Sequence, residues 1–287
     1  MTFHQPPASF VGQIELMVRD IARSLAFYES IIGLKLISRD EKSAKLSADG
    51  SKSILSLVQP EEVKGKEPRT TGLYHFALLL PARSDLADLI AHLVKNGVKM
   101  GGSDHGVSEA VYFDDPDGNG IEVYRDRSHT EWDWHDSQVS MAIDPLNIQE
   151  LLSGEQKEWR KVPEKTVIGH LHLHVSELGK TQEFYKEGLG LDVVSRINGQ
   201  ALFMSSAGYH HHIGLNTWQG VGAPPPSKNS VGLHWFSFVV RDEKEKMKTV
   251  ERLQKLNYAV YSKDGCFTTQ DPSGNQIKLV TNEEFSR

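Results

Sequence analysis

Alternating and helical stretches follow one another along the chain in a fixed order, and the order recurs. The segment QIELMVRDIARSLAFYESIIGLKLI (13–37) opens with the alternation of a strand and passes into the apolar spacing of a helix. It leaves through a Gly-Leu turn into a second strand. HLHLHVSELGKTQEFYKEGLGLDVV (170–194) does the same, with Phe184-Tyr185 for Phe27-Tyr28 and Gly190-Leu191 for Gly33-Leu34, all at an offset of 157. GLYHFALLL (72–80) is matched by GLHWFSFVV (232–240). Each half closes on an Asp-Pro-x-Gly-Asn turn running into an alternating strand, DPDGNGIEVY (115–124) and DPSGNQIKLV (271–280).

Each half therefore holds two units of about 60 residues, each a strand, a helix and three more strands, on the scale of a supersecondary repeat. Numbered in order, these are modules 1 to 4. Their first strands are predicted to begin near Gln13, His75, His170 and His234, and their helices to cover 20–32, 84–96, 177–188 and 242–256. In the second helix Leu86, Leu89, Ile90 and Leu93 fall at helical spacing, and Asn96-Gly97 stops it. Short β-rich runs follow, such as LISRD, AKLSA and SILSLVQ in module 1. Residues 127–166 read as a linker containing Trp132, Trp134, Trp159 and a short helix at 145–153. Strands and helices interleaved in this way give an α+β protein.

Composition narrows the function classes. A chain of 287 residues can bury a substantial core, organised as two domains. A formal net charge of −6 and a sequence pI near 6.1 argue against the basic surface a nucleic-acid binder needs. One cysteine, Cys266, excludes an internal disulfide and a cysteine-based zinc site. No apolar run approaches the ~18 residues of a membrane span. The opening MTFHQPPASFVG has neither the basic nor the apolar region of a signal peptide. The expectation is a cytoplasmic protein with no nucleic-acid or membrane partner, homo-oligomer formation being left open. Thirteen histidines are the compositional oddity, and their placement matters more than their number.

Four strand–helix–three-strand modules over 10–125 and 167–280 resemble the vicinal oxygen chelate superfamily of glyoxalases and extradiol dioxygenases. The resemblance implies βαβββ modules paired into two open eight-stranded barrels, with a first domain at 10–126, a linker at 127–166 and a second domain at 167–283. With the histidine run GYHHHIGLN (208–216), the arrangement resembles the extradiol, 2,3-cleaving catechol dioxygenases. Such enzymes hold a metal with two first-strand histidines and one last-strand Glu of a Gly-x-x-x-Glu pattern. That set suits Fe(II) and leaves coordination positions open.

Carried onto this chain, module 1 offers Gln13 and no carboxylate, module 2 His75 and Glu122, and module 3 His170. Module 4 offers His234, with Lys278 where the Glu should stand. Pairing 1 with 2 and 3 with 4 completes neither site. Pairing 2 with 3 collects His75, Glu122 and His170, and leaves Gln13, His234 and Lys278 to the outer pair. Related chlorohydroquinone dioxygenases also pair inner and outer modules, with the metal in the outer pair; here the residues put it in the inner one.

The family further carries a Tyr ten residues before the ligating Glu and an acid/base His on the fourth strand of the first-ligand module. Tyr112 stands ten before Glu122, whereas Thr268 stands ten before Lys278. Matching His-x-(Val/Ile)-(Ala/Gly)-Leu in GYHHHIGLN assigns the acid/base role to His211, with His210 and His212 as alternatives on the opposite face of a regular strand. The parallel run KSILSLVQ of module 1 has no histidine.

Taken singly, each residue has a plainer explanation. His75 would be a strand-end histidine, Glu122 a surface carboxylate, Tyr112 barrel packing and the triple-His run surface decoration. The Asp-Pro turns would be tight turns using Gly and Asn for positive φ, and Phe27-Tyr28 and Phe184-Tyr185 core. His172 and His174 share a face with His170 and either line the cavity or make ordinary hydrogen bonds. Gln13, a ligand type in some glyoxalases, and His234 stay as rival ligands. The resemblance implies an Fe(II)-dependent, or alternatively Mn(II)-dependent, ring-cleaving dioxygenase acting on a small aromatic diol and O2. A glyoxalase-type isomerase or thiol transferase would need a second Glu that no module supplies. A non-catalytic binding protein of the same fold would need no metal.

Overall fold

In the computed structural model, which describes residues 3–286, the four modules appear in order. Module 1 is β1 (Phe10–Met17), α1 (Ile21–Phe27) running into a π-helical turn (Tyr28–Ile32), β2 (Lys35–Arg39), β3 (Ser43–Ser47) and β4 (Ser53–Val58). Module 2 is β5 (Gly72–Leu79), α2 (Arg83–Lys95), β6 (Gly101–Asp104), β7 (Ser108–Asp114) and β8 (Gly120–Asp126). The linker adds β9 (Trp134–His135), β10 (Gln138–Val139), β11 (Asp144–Pro145) and α3 (Ile148–Leu151), so the helix expected over 145–153 shrinks to a single turn. Module 3 is β12 (Val167–His174), α4 (Leu178–Glu183) with a π-helical turn (Phe184–Gly188), β13 (Asp192–Ile197), β14 (Ala201–Ser205) and β15 (Ile213–Asn216). Module 4 is β16 (Gly232–Val240), α5 (Glu243–Lys255), β17 (Val260–Lys263), β18 (Cys266–Gln270), β19 (Gln276–Thr281) and α6 (Asn282–Phe285).

Modules 2 and 3 form one curled sheet, joined antiparallel at β5 and β12, and modules 1 and 4 form the other, joined at β1 and β16. The outer sheet has the expected eight strands; the inner has nine, because β11 of the linker pairs with β6. The segment 127–166 is thus more than a connection: it extends the sheet that carries the candidate site. The two halves of the sequence do not coincide with the two sheets.

The central strands of the inner sheet, β5, β8 and β12, are largely buried on both faces. In β12, VIGHLHLH, the period-2 pleat sends Leu171 and Leu173 into the apolar core and His170, His172 and His174 to the opposite, concave face. β5 and β8 repeat the division, with Phe76, Leu78, Ile121 and Val123 in the core. Helix α2 lays Leu86, Leu89, Ile90 and Leu93 on the same core, as its spacing predicts.

A repeated buried hydrogen bond ties together the two modules of each sequence half, although they join different sheets. Tyr28 Oη donates to Asp115 Oδ2 at 2.8 Å, and Tyr185 Oη donates to Asp271 Oδ2 at 3.0 Å. Each aspartate also accepts from the backbone and side-chain amides of the Asn four residues on. The Phe-Tyr pairs and the Asp-Pro turns, which read as separate core and turn features, are the two ends of one device. Tyr28→Phe deletes one hydrogen bond to a buried carboxylate and should destabilise the protein by about 1.5–3 kcal/mol, read as a lower urea midpoint at unchanged m-value.

Candidate metal centre

Three side chains meet on the concave face of the inner sheet. His75 Nε2 from β5 and His170 Nε2 from β12 each lie 3.0 Å from the same oxygen, Oε2 of Glu122 on β8. The register explains the meeting: β5 and β12 are antiparallel neighbours, and β8 runs parallel to β5 with Ala77 opposite both His170 and Glu122. The ligand atoms of all three lie within 4.8 Å of one another, and all three side chains are buried. Among the described residues no other group of three His, Cys, Asp or Glu comes together in this way.

Electrostatics suit a cation. Burial alone would raise the Glu122 carboxyl, but the His170 and His75 imidazoles outweigh it and hold the group well below the usual carboxylate range. Burial pushes His170 down to about 4, against the pull of Glu122, so its ring is neutral at pH 7. His75 Nε2 is buried and, among the described residues, no hydrogen bond satisfies it, although Glu122 Oε2 lies 3.0 Å away. Two imidazole nitrogens aimed at one carboxylate oxygen, one of them unsatisfied, fit a divalent ion shared by all three.

Above the three ligand atoms is a cavity of about 560 Å³. Val107, Met141, Ile143, Ile197, Phe203 and Trp218 give it apolar walls, and Tyr74, His105, Tyr112, His172 and His211 add polar groups. Met141–Pro145 belong to the linker, which closes one side. Tyr112 lies opposite Glu122 in the β7–β8 register. His105 Nδ1 lies 2.8 Å from the Ala142 carbonyl and therefore donates to it. His105 Nε2, 2.6 Å from Tyr112 Oη, is then the acceptor of the phenol proton. The lone pairs of Tyr112 Oη are left to accept from a guest. Burial and the nearby Glu122 carboxylate push this phenol well above its ordinary range, so it stays protonated.

The triple-His run is not in a strand. Residues 206–212 form a turn and bend, and β15 begins only at Ile213. The three rings consequently go to three places. His211 lines the cavity, its ring centroid 4.1 Å from that of His170. Burial, with the His170 and His210 rings beside it, pushes its pKa well below 6.5, so it is neutral at pH 7. His210 is fully buried behind it, Nδ1 to Nδ1 at 2.8 Å. His212 leaves the site: its Nε2 is 2.9 Å from the Phe3 carbonyl and its Nδ1 3.3 Å from Ser205 Oγ. Of the two histidines sharing a face with His170, His172 lines the cavity, and His174 pairs with Asn216 Oδ1 at 2.7 Å.

The outer sheet corrects one alignment. β1 and β16 pair Glu15 with Trp235 as β12 and β5 pair His172 with His75. Trp235, not His234, therefore occupies the position equivalent to His75, and His234 corresponds to Tyr74. Lys278 Nζ, at the place of Glu122, sits 3.4 Å from the Trp235 ring centroid in a cation–π contact. Gln13 Nε2, at the place of His170, is engaged by Ser53 Oγ and Ser56 Oγ at 2.9 and 2.8 Å. His234 is half exposed and pairs with Glu15 at 2.7 Å. An ammonium and an indole stand where the inner sheet has a carboxylate and an imidazole, so the outer set has no metal-binding character.

Reading by repeats missed His105 and the linker residues that line the cavity. His105 lies in the turn between β6 and β7, where no spacing rule applies, and the linker has no counterpart elsewhere in the chain to compare with.

Comparison with known proteins agrees with this architecture. The chain is 40% identical over 276 residues to a Bacillus subtilis protein named catechol-2,3-dioxygenase, covering 94% of this chain and 96% of that one. It is 26% identical over 131 residues, 42% of this chain and 65% of the other, to biphenyl-2,3-diol 1,2-dioxygenase 2 of Rhodococcus globerulus. Glyoxalase I of Zea mays shares the fold at a TM-score of 0.62 and 17% identity, over 97% of this chain and 94% of that one. Residues 10–123 and 167–279 both match one family description. The chain belongs to the glyoxalase/bleomycin resistance protein/dioxygenase superfamily.

Proposed function

We propose that the protein is an Fe(II)-dependent extradiol dioxygenase that opens the ring of a catechol or substituted catechol beside its two hydroxyls. The observation that carries this reading is the convergence of His75 Nε2, Glu122 Oε2 and His170 Nε2 on one point at the floor of an apolar-walled cavity. One carboxylate and two imidazoles would hold a divalent cation and leave coordination positions open to ligands. The 40% identical relative named catechol-2,3-dioxygenase supports the same reading.

His75, Glu122 and His170 would hold the metal. When bound, Fe(II) would lower the pKa of a chelating hydroxyl and offer dioxygen a place beside the ring. The chain's own groups do the rest. Phe203, Ile197, Met141 and Ile143 hold the ring and exclude water. His211, neutral and facing the cavity, takes a proton from a substrate hydroxyl and returns one later. Tyr112, with its own proton engaged by His105, accepts a hydrogen bond from the second hydroxyl. Both oxygen atoms of O2 end in the ring-opened semialdehyde.

The test is metal analysis after anaerobic purification together with a catechol ring-cleavage assay. About one iron per chain and a yellow ring-opened product are expected, at loss of the colourless catechol. A glyoxalase-type reading would instead show isomerisation of a thiohemiacetal with Mn(II), Ni(II) or Zn(II) and no oxygen uptake. Absence of both iron dependence and oxygen consumption would overturn the proposal.

A further inference from the structure

His210 does not reach the cavity. Its ring is fully buried between Tyr209 and Trp132, at centroid distances of 4.1 and 5.1 Å. Nevertheless both of its nitrogens are engaged: Nε2 lies 2.8 Å from Asp126 Oδ1, and Nδ1 lies 2.8 Å from His211 Nδ1. Tyr209 Oη donates to the same Asp126 oxygen at 3.2 Å, with Tyr124 Oη 2.7 Å behind it.

With both imidazoles neutral, the direction of every proton in this line follows from its far end. A carboxylate only accepts, so His210 must carry its proton on Nε2. Its Nδ1 is then a lone pair, and the His211 Nδ1 facing it must be the donor, because two lone pairs at 2.8 Å would repel. A neutral imidazole has one N–H, so His211 Nε2 is left unprotonated. Among the described residues Nε2 of His211 has no hydrogen-bond partner, and its ring belongs to the cavity wall. The opposite assignment would put the His210 Nε2 lone pair against the Asp126 carboxylate.

We propose that Asp126 and His210 are positioning residues that fix His211 in the tautomer with Nδ1 protonated and the Nε2 lone pair presented to the substrate. The sequence marked His210 only as an alternative to His211 and did not mark Asp126. The geometry assigns the two a joint task behind it, as a carboxylate does for a histidine base elsewhere. When a substrate O–H bond breaks, its proton forms a new N–H bond at His211 Nε2. The positive charge then lies one imidazole away from Asp126. The word "base" here rests on the function proposed above; the tautomer does not.

The two are therefore tested separately. Nitrogen-15 NMR of the metal-free full chain, with His211 assigned by the His211→Gln variant, reads the protonation of each ring nitrogen. Nδ1 of His211 is expected to be protonated and Nε2 bare at pH 7.5; a proton on Nε2 overturns the proposal whatever the enzyme does. Asp126→Asn offers both a donor and an acceptor, so it should mix the two tautomers. In turnover it should lower kcat by about 10–100-fold, the usual scale for a residue acting through another, with KM and iron content close to wild type. Unchanged kcat in a variant whose NMR shows mixed tautomers would also overturn it. If the wild-type tautomer is as expected but the protein opens no catechol, the proposed function fails and the positioning of His211 stands.

Discussion

His170→Ala should purify essentially without iron and lose kcat/KM by on the order of 10³-fold or more, since changes to residues that only support a metal ligand already cost ~10–100-fold. Glu122→Ala should do the same. Glu122 is the single anion of the set, and its Oε2 is the point both imidazoles approach. Without it two neutral nitrogens would face a buried, uncompensated dication, which low-dielectric surroundings disfavour. The matched controls are Gln13→Ala and His234→Ala. Both residues belong to the outer sheet, where Trp235 and Lys278 stand at the equivalents of His75 and Glu122, so iron content and turnover should stay at wild-type values. Iron retained in His170→Ala and lost in His234→Ala would place the metal in the wrong sheet. Because His170 is only 1% exposed and packs against the Tyr124 and His211 rings, each variant's denaturation midpoint should be recorded beside its metal content.

The pairing of modules was legible because chemistry-bearing residues are unevenly spread along an even repeat. Four copies of one module fix the spacing, and a carboxylate at 122 against an ammonium at 278 then says which copies belong together. Period-2 alternation did the same locally: HLHLH puts histidine on one face and leucine on the other, and β12 follows it. What stayed illegible is what does not repeat. The linker donates a strand to the inner sheet and a wall to the cavity, and His105 reaches Tyr112 from a turn. The shift from His234 to Trp235 is a one-residue matter that side-chain identity disguised: GLYH and GLHW put a histidine in each copy, but at adjacent positions. In the run 210–212 the expected strand is a bend, and the three rings part into three places instead of alternating between two faces. His211 lines the cavity, His210 is buried behind it, and His212 bonds the Phe3 carbonyl away from the site.

That separation makes the second large effect a selective one. His211→Ala should keep its iron, since the ring is not among the three converging ligands, yet lose kcat by about 10²–10⁴-fold, the range a positioned acid/base supplies. His212→Ala should lose little turnover: its ring contacts Phe3, Ser205 and His4 and does not line the cavity. Its cost should instead appear as stability, because Nε2 ties the chain's first described residues to the inner sheet. The pair of variants separates a chemical role from a packing role within three consecutive residues. If the base is His211, anaerobic titration of His211→Ala with a catechol should still show binding, with affinity changed by only a few-fold, while ring opening is slow. The opposite pattern, with lost substrate affinity and intact kcat, would make His211 a wall of the cavity and return the proton transfer to Tyr112 and His105, the other hydrogen-bonded pair that faces the guest.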